Sequence, residues 1–370
     1  MTTIDELDDG TRAILARFGF DPQQFELLRT RVASGELGPA SNVVTGRIEP
    51  PGEGDLTPLP DSGTAAWDEA REAGLEAIRE GRVAQIVLAG GMATRFGGVV
   101  KGAVDVLDGR SFLEWKLGET ARVGQELGKD IPVALMTSFA TDELTRAHVA
   151  DRRLPDPLWF SQFVSVRLTP EGDIFRDDDS TASLYGPGHG DLLEAIRQSG
   201  TLDALRRRGV KLVCVSNVDN LGARVDPVVV GAHVIAGHPV TIEVARKEGD
   251  LGGAPVRVDG HMTMLEGMRF PPGFDQDLTP VFNTNTALID LDALDRQYEL
   301  TWLYVEKEVD GQTAVQLERL YHEITSFVPT TFLVVPRSGP RGRFFPIKTP
   351  DDLEAARAGL RELLSASVLG

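Results

Sequence analysis

Val83-Ala84-Gln85-Ile86-Val87-Leu88 runs into Ala89-Gly90-Gly91-Met92-Ala93-Thr94-Arg95-Phe96-Gly97-Gly98, and this junction decides the fold. Six mostly apolar residues have the length of a strand. A strand without polar alternation is buried on both faces, as in a parallel sheet. The glycines then end it in a loop. On its N-terminal side, residues 64–80 read as a helix with Trp67, Ala70, Gly74 and Ile78 on one side and Gly81 as its stop. On its C-terminal side, Ser111-Phe112-Leu113-Glu114 is a capping box opening a helix to Leu127, with Gly128 after it. Residues 131–136 and 211–215 read as further strands, and 191–208 as helix. This alternation predicts an α/β fold: a Rossmann-like, mixed but mainly parallel sheet flanked by helices.

Further out the texture changes. Residues 240–245, 254–258 and 262–265 read as short strands of a small antiparallel sub-sheet. Residues 314–324 read as helix and 331–335 as strand. Thr349 and Pro350 suit the N-cap and first position of a last helix running to about Leu364. Residues 10–18 and 22–34 predict short helices, and 39–63 carry the Pro and Gly of an arm. The expected organisation is an N-terminal helical segment and arm over 1–63, one large α/β domain over 64–350, and a C-terminal helix over 351–370.

Charge narrows the function. Lys plus Arg is 38 and Asp plus Glu is 56, a net charge of −18. That argues against general affinity for nucleic acid or an anionic membrane, which need a basic face. No apolar run reaches the length of a membrane span. The acidic start, Met1 to Glu6, has no signal-peptide pattern. Cys214 is the single cysteine, so neither an internal disulfide nor a cysteine zinc site is expected. A cytoplasmic protein with an inert core thiol is the expectation. His233 and His238 are five apart, a spacing that does not put two imidazoles on one helix face. The acidic run Asp177-Asp178-Asp179 lacks a calcium-loop pattern and reads as a solvated loop.

Five segments carry candidate chemistry. The loop after Leu88 offers free backbone N–H groups, with Arg95 and Lys101 adding the positive charge that phosphates need. It matches neither G-x-G-x-x-G nor G-x-x-x-x-G-K-[ST]. Ser216-Asn217-Val218-Asp219-Asn220 follows a strand, where a carboxylate flanked by amides can hold a hard cation; an Asx turn is the plain alternative. Gly186-Pro187-Gly188-His189-Gly190-Asp191 exposes a histidine on a glycine cradle before a helix. Phe282-Asn283-Thr284-Asn285-Thr286 offers adjacent amides for sugar hydroxyls, and Arg341 to Thr349 is a basic cluster in an acidic chain.

Taken in chain order, the five segments resemble the UTP–sugar-1-phosphate uridylyltransferase family, the pyrophosphorylases related to UDP-glucose pyrophosphorylase. Gln316-Leu317-Glu318 resembles a further family segment, and the likeness spans about residues 85–350. The resemblance implies a nucleotide-diphospho-sugar transferase fold, with UTP and a sugar 1-phosphate as substrates and Mg²⁺ as cofactor. By that resemblance Ala89, Gly90, Gly91, Met92 and Ala93 would seat the uridine, and Gln162 would read the uracil edge. Gly188 would lie near the base and His189 near the sugar 1-phosphate. Asn217 would stand between the substrates, and Asp219 would be the Mg²⁺ ligand. Glu266, Asn283 and Asn285 would hold the sugar, while Arg95, Lys101 and Lys348 would clamp phosphates during the chemistry.

Departures from the family pattern are Ala93 for a glycine, a shorter step from Gly97 to Lys101, Leu251 for a lysine, and Thr286 for an asparagine. With about twenty residues after Lys348, the C-terminal β-helix of eukaryotic members is expected to be absent. The G-H-G-D segment resembles the glucose branch, so UDP-glucose is the expected product. UDP-N-acetylhexosamine or broad UDP-sugar synthesis is the alternative. A non-catalytic sugar-nucleotide-binding protein is the alternative of another class. A nicotinamide dehydrogenase is excluded by the missing G-x-G-x-x-G.

Overall fold

The computed structural model describes residues 3–93, 99–177, 180–250, 252–347 and 349–369. Its centre is an eight-stranded sheet. In chain order the strands are β1 (Leu56–Pro58), β2 (Val83–Leu88), β3 (Val133–Thr137), β4 (Leu158–Ser161), β5 (Leu212–Asn217), β6 (Val240–Arg246), β7 (Val281–Asp290) and β8 (Thr330–Val334). Their spatial order is β1-β8-β6-β7-β5-β2-β3-β4, and only β7 runs antiparallel to its neighbours. From β2 the chain builds outward to β3 and β4, then returns to add β5 on the other side. The order therefore reverses between β2 and β5, the place where an open α/β sheet leaves a crevice beyond its carboxyl ends.

Helices cover both faces, as the apolar β2 requires. The helices include α1 (Asp9–Arg17), α2 (Pro22–Ala33), α3 (Ala65–Arg79), α4 (Phe112–Leu127), α5 (Asp142–Asp151), α6 (Leu192–Gln198), α7 (Thr201–Arg207) and α8 (Pro227–Ala236). Ala84, Ile86 and Leu88 pack with Leu192, Ile196 and Leu205 of α6 and α7. Val83 lies on the other face among Ile78, Val229 and Val230 of α3 and α8. The one polar residue of β2, Gln85, accepts a hydrogen bond at 2.6 Å from Thr120 on α4. Helices α3 and α8 cross at a glycine pair. A Cβ on Gly74 would stand 1.8 Å from the Pro227 carbonyl oxygen, and one on Gly231 1.6 Å from that of Ala70.

The capping box at Ser111 and Glu114 forms in both directions. The last helix, Pro350–Ser365, is capped by Thr349. Helices α1 and α2 do not make their own core. Phe18, Phe25, Leu28 and Val32 join Val164, Val166, Leu168, Val315 and Leu317 in one cluster beside the sheet. The arm over 39–63 contributes edge strand β1 and a short strand, Ile48–Glu49, that pairs with Ala254–Val258.

Three expectations need correction. Residues 191–208 form two helices, because Gly200 takes φ +75° and turns the chain between α6 and α7. Residues 240–246 belong to the central sheet as β6, not to the small sub-sheet. Residues 314–324 are not a helix. Gln312–Glu318 is a strand paired with Leu303–Val309, followed by a 3-10 turn at Tyr321–Ser326. The apolar residues of this stretch fit a strand as well as a helix, and its partner strand lies across a tight turn at Asp310 and Gly311. His233 is a buried strut, with Nδ1 to Thr241 at 2.8 Å and Nε2 to Asp290 at 3.2 Å.

Candidate active site

The carboxyl ends of β2 and β5 are neighbours, with Leu88 opposite Asn217. Both expected loops therefore leave the sheet side by side. The loop after β5 lines a cleft of about 700 Å³ whose lining also includes His189, Glu266, Asn283 and Asn285. Residues of the His189, Asp219, Asn285 and Phe344–Pro346 segments thus line one concavity, and Lys101 joins them through Asp219.

The Ala89–Gly91 turn is fixed from below. Thr141 Oγ1 donates to the Ala89 carbonyl at 3.0 Å, and Ser138 Oγ to that of Gly90 at 2.9 Å. Gln162 lies over the turn. A Cβ on Gly90 would meet its amide at 3.2 Å, and one on Gly186 would meet it at 2.0 Å. So two glycines frame one amide, an arrangement that could read the edge of a planar base. Gly91 and Met92 are exposed beside it. Arg95 and Lys348 lie outside the described residues, as do Asp178, Asp179 and Leu251.

Asp191 fastens the His189 turn to the same corner. Its carboxylate accepts from the Phe163 amide at 3.0 Å and pairs with Arg319 at 2.7 Å. Gly188, with φ +89°, brings the turn against the Arg319 backbone, where a Cβ would stand 2.6 Å from the carbonyl oxygen. The His189 Nδ1 accepts from the Tyr321 amide at 3.2 Å, so a neutral ring carries its proton on Nε2. Burial, aided by the nearby His322, pushes the His189 pKa down to about 3, so the ring is an uncharged donor at neutral pH.

Lys101 Nζ and Asp219 Oδ2 form an ion pair. The ammonium thus sits on the carboxylate expected to hold the metal. Among the described residues no group of three or more His, Cys, Asp or Glu could hold a metal ion. One carboxylate beside the amides of Asn217 and Asn220 instead fits Mg²⁺, which keeps waters and takes substrate phosphates as ligands.

Sequence reading missed how this loop is held. Asn220 donates to the Arg343 carbonyl at 3.0 Å and accepts from the Phe345 amide at 2.9 Å, clipping the Arg343–Ile347 segment to the Asp219 loop. Arg343 is buried against the fully buried Glu243 at 2.8 Å, so this part of the basic cluster is a strut. Lys116 supports the loop from beneath, donating to Ser216 Oγ at 3.0 Å and the Ala223 carbonyl at 2.8 Å. Burial pushes its pKa down to about 7. No short motif marks Lys116 or Glu243.

The amides come from a bulge in β7. The pairing with β6 shifts between Glu243 and Val244, and Asn285 takes φ +54°. Bulges re-aim side chains. Here Asn285 donates to Asn217 Oδ1 at 3.0 Å, while its own Oδ1 is buried without a partner. A buried acceptor without a partner beside a cleft calls for a donor, from water or from a ligand.

The chain matches the family model described as UTP–glucose-1-phosphate uridylyltransferase over residues 23–367 and belongs to that family. It is 30% identical to the UTP–glucose-1-phosphate uridylyltransferase of Saccharomyces cerevisiae over 314 residues, 78% of this chain and 61% of that one. It is also 30% identical to the Solanum tuberosum enzyme of that name over 295 residues, 75% of this chain and 61% of that one. The chain thus spans less than two thirds of the length of these relatives. In fold it is similar to a UDP-glucose pyrophosphorylase variant from Leishmania major, with TM-score 0.74 and 24% identity over 95% of this chain and 80% of that one. It is likewise similar to the UDP-N-acetylglucosamine pyrophosphorylase of Trypanosoma brucei, with TM-score 0.76 and 19% identity over 94% and 79%.

Proposed function

We propose that the chain transfers the uridylyl group of UTP to a sugar 1-phosphate, releasing pyrophosphate, with glucose 1-phosphate as the sugar substrate. The observation that carries this is the orphaned Asn285 oxygen in a cleft walled by Glu266, Asn283, His189 and Asn217. Neutral amides and one carboxylate suit sugar hydroxyls. Family membership and the names of the relatives support the nucleotide and the reaction.

A sugar-phosphate oxygen attacks the α-phosphorus of UTP, and the bond to pyrophosphate breaks in line. Both reactants are anions, so alignment and charge stabilisation carry the catalysis and no protein nucleophile is needed. On this reading the phosphates are assigned to Lys101, Arg95 and Lys348, and the uridine to Gln162, Ala89, Gly90, Gly91, Met92 and Gly188. Asn217 stands between the substrates. His189 donates its uncharged Nε2–H to the sugar phosphate. Bound at Asp219 and the phosphates, Mg²⁺ would neutralise charge there. Lys101 turns from Asp219 toward a phosphate as the site fills. A reducing, cytoplasmic setting belongs to the same reading and suits a half-buried, unpaired Cys214.

A UDP-N-acetylhexosamine product is the second reading, favoured by the likeness in fold to the Trypanosoma brucei enzyme. The test is incubation with UTP, Mg²⁺ and a panel of sugar 1-phosphates, with products read by mass. UDP-glucose and pyrophosphate are expected. UDP-N-acetylglucosamine as the main product selects the second reading. UTP binding without turnover of any sugar overturns both in favour of a sensor.

A further inference from the structure

His322 belongs to no motif of the sequence, yet it lines the cleft with its side chain only 4% exposed. Its two ring nitrogens are both engaged. Asn283 Nδ2 stands 3.3 Å from Nδ1, and Glu266 Oε2 stands 3.1 Å from Nε2. The neighbours fix the direction of every bond. Asn283 Oδ1 accepts from the Asn285 amide at 2.9 Å, so its Nδ2 faces His322 as a donor. Nδ1 of His322 must then accept, and Nε2–H donates to Glu266. One hydrogen-bonded chain therefore runs Glu266–His322–Asn283–Asn285–Asn217 across the cleft.

The element carrying His322 is clamped in place. Arg269, three residues after Glu266, pairs with Glu323 at 2.6 Å, and Thr325 Oγ1 accepts from the Met264 amide at 2.8 Å. Gly253 leaves room for the carboxylate, since a Cβ there would meet Glu266 Oε2 at 2.9 Å. One oxygen of Glu266 is thus held by His322, and Glu266 lines the cleft.

We infer that His322 is a positioning residue that sets sugar specificity: it fixes Glu266 so that Oε1 accepts one defined hydroxyl of the sugar 1-phosphate. The inference rests on the uridylyltransferase reading. It assigns the discrimination among sugars to a side chain that neither the sequence motifs nor the nucleotide loop contains. A carboxylate held by one oxygen presents the other along a fixed direction. A sugar lacking that hydroxyl leaves the charge buried and unsatisfied.

The test compares wild type, His322→Leu and His322→Gln with UTP, glucose 1-phosphate and its mono-deoxy analogues. In wild type, one deoxy analogue should lose about 10- to 100-fold in kcat/KM, the scale of a hydrogen bond to a charged group. His322→Leu should raise KM for glucose 1-phosphate about 10-fold or more, leave KM for UTP unchanged, and erase discrimination against that analogue. His322→Gln keeps a donor and an acceptor and should restore much of it. Thermal melts of both variants separate folding from positioning. Unchanged discrimination in a folded His322→Leu overturns the inference, as do equal rises in both KM values. Absence of UDP-sugar formation by wild type overturns the functional reading instead.

Discussion

At the residue scale, Asp219, His189 and Asn285 have different duties. Asp219→Asn should lower Mg²⁺-dependent turnover by about 10²-fold or more with the melting temperature nearly unchanged, because charge stabilisation is lost and packing is not. Turnover near wild type would remove Asp219 from the metal site. His189 is held neutral by burial, with its pKa near 3 against 6.5 for the free side chain. A folded pKa below the unfolded value gives stability that is complete above the unfolded pKa. It is lost as pH falls from 6.5 toward 3, at about 1.4 kcal/mol per pH unit. His189→Gln should lack this component, so denaturation midpoints of wild type and variant should converge as pH falls. A constant gap would show that the ring titrates normally. Asn285 needs φ +54° as well as its amide. Asn285→Gly should keep more stability than Asn285→Ala, while both lose affinity for the sugar 1-phosphate.

At the element scale, the strength of the sequence signal decided what was legible. Strand β2 was bounded correctly because a mostly apolar run of six residues ended by glycines has the length of a strand buried on both faces. Helix α4 was legible through its capping box, and the last helix through Thr349 and Pro350. The helix expected over 314–324 failed because apolar residues at Ala314, Val315, Leu317 and Leu320 fit both periods, and the pairing with Leu303–Val309 is tertiary. That misreading hid His322 inside a supposed helix. The Asn283 and Asn285 amides were seen, but the bulge that aims them was not. It depends on the shift in pairing with Glu243 and Val244, and no local rule encodes that shift. The buried Glu243–Arg343 pair joins β6 to the segment after β8. Glu243→Gln would leave the guanidinium buried without its counter-charge and should destabilise by about 3–5 kcal/mol, read as a fall in the denaturation midpoint. A fall under about 1 kcal/mol would show that water reaches Arg343.

At the scale of the whole molecule, the site is a product of topology. Motifs separated by more than 100 residues meet because the sheet reverses its order between β2 and β5. The five segments were legible as a set, and that set pointed to the family the chain belongs to. The adjacency of the first two at the ends of β2 and β5 follows from the strand order rather than from either one. Helices α1 and α2 complete this scaffold beside Gln162 through Phe18, Phe25, Leu28 and Val32. At about 1.5–3 kcal/mol for each such side chain, removing residues 1–38 approaches the whole stability of an ordinary domain. The truncated chain should lose its cooperative thermal transition, and an unchanged transition would make the segment an appendage.

The most direct test of the central claim is a crystal structure with UDP-glucose. The account predicts the uracil edge on Gln162, and the glucose hydroxyls within hydrogen-bond distance of Asn285 Oδ1 and Glu266 Oε1. UDP-glucose lodged instead in the pocket between Phe20, Phe163 and Trp302, with the Asn285 oxygen still alone, would contradict it.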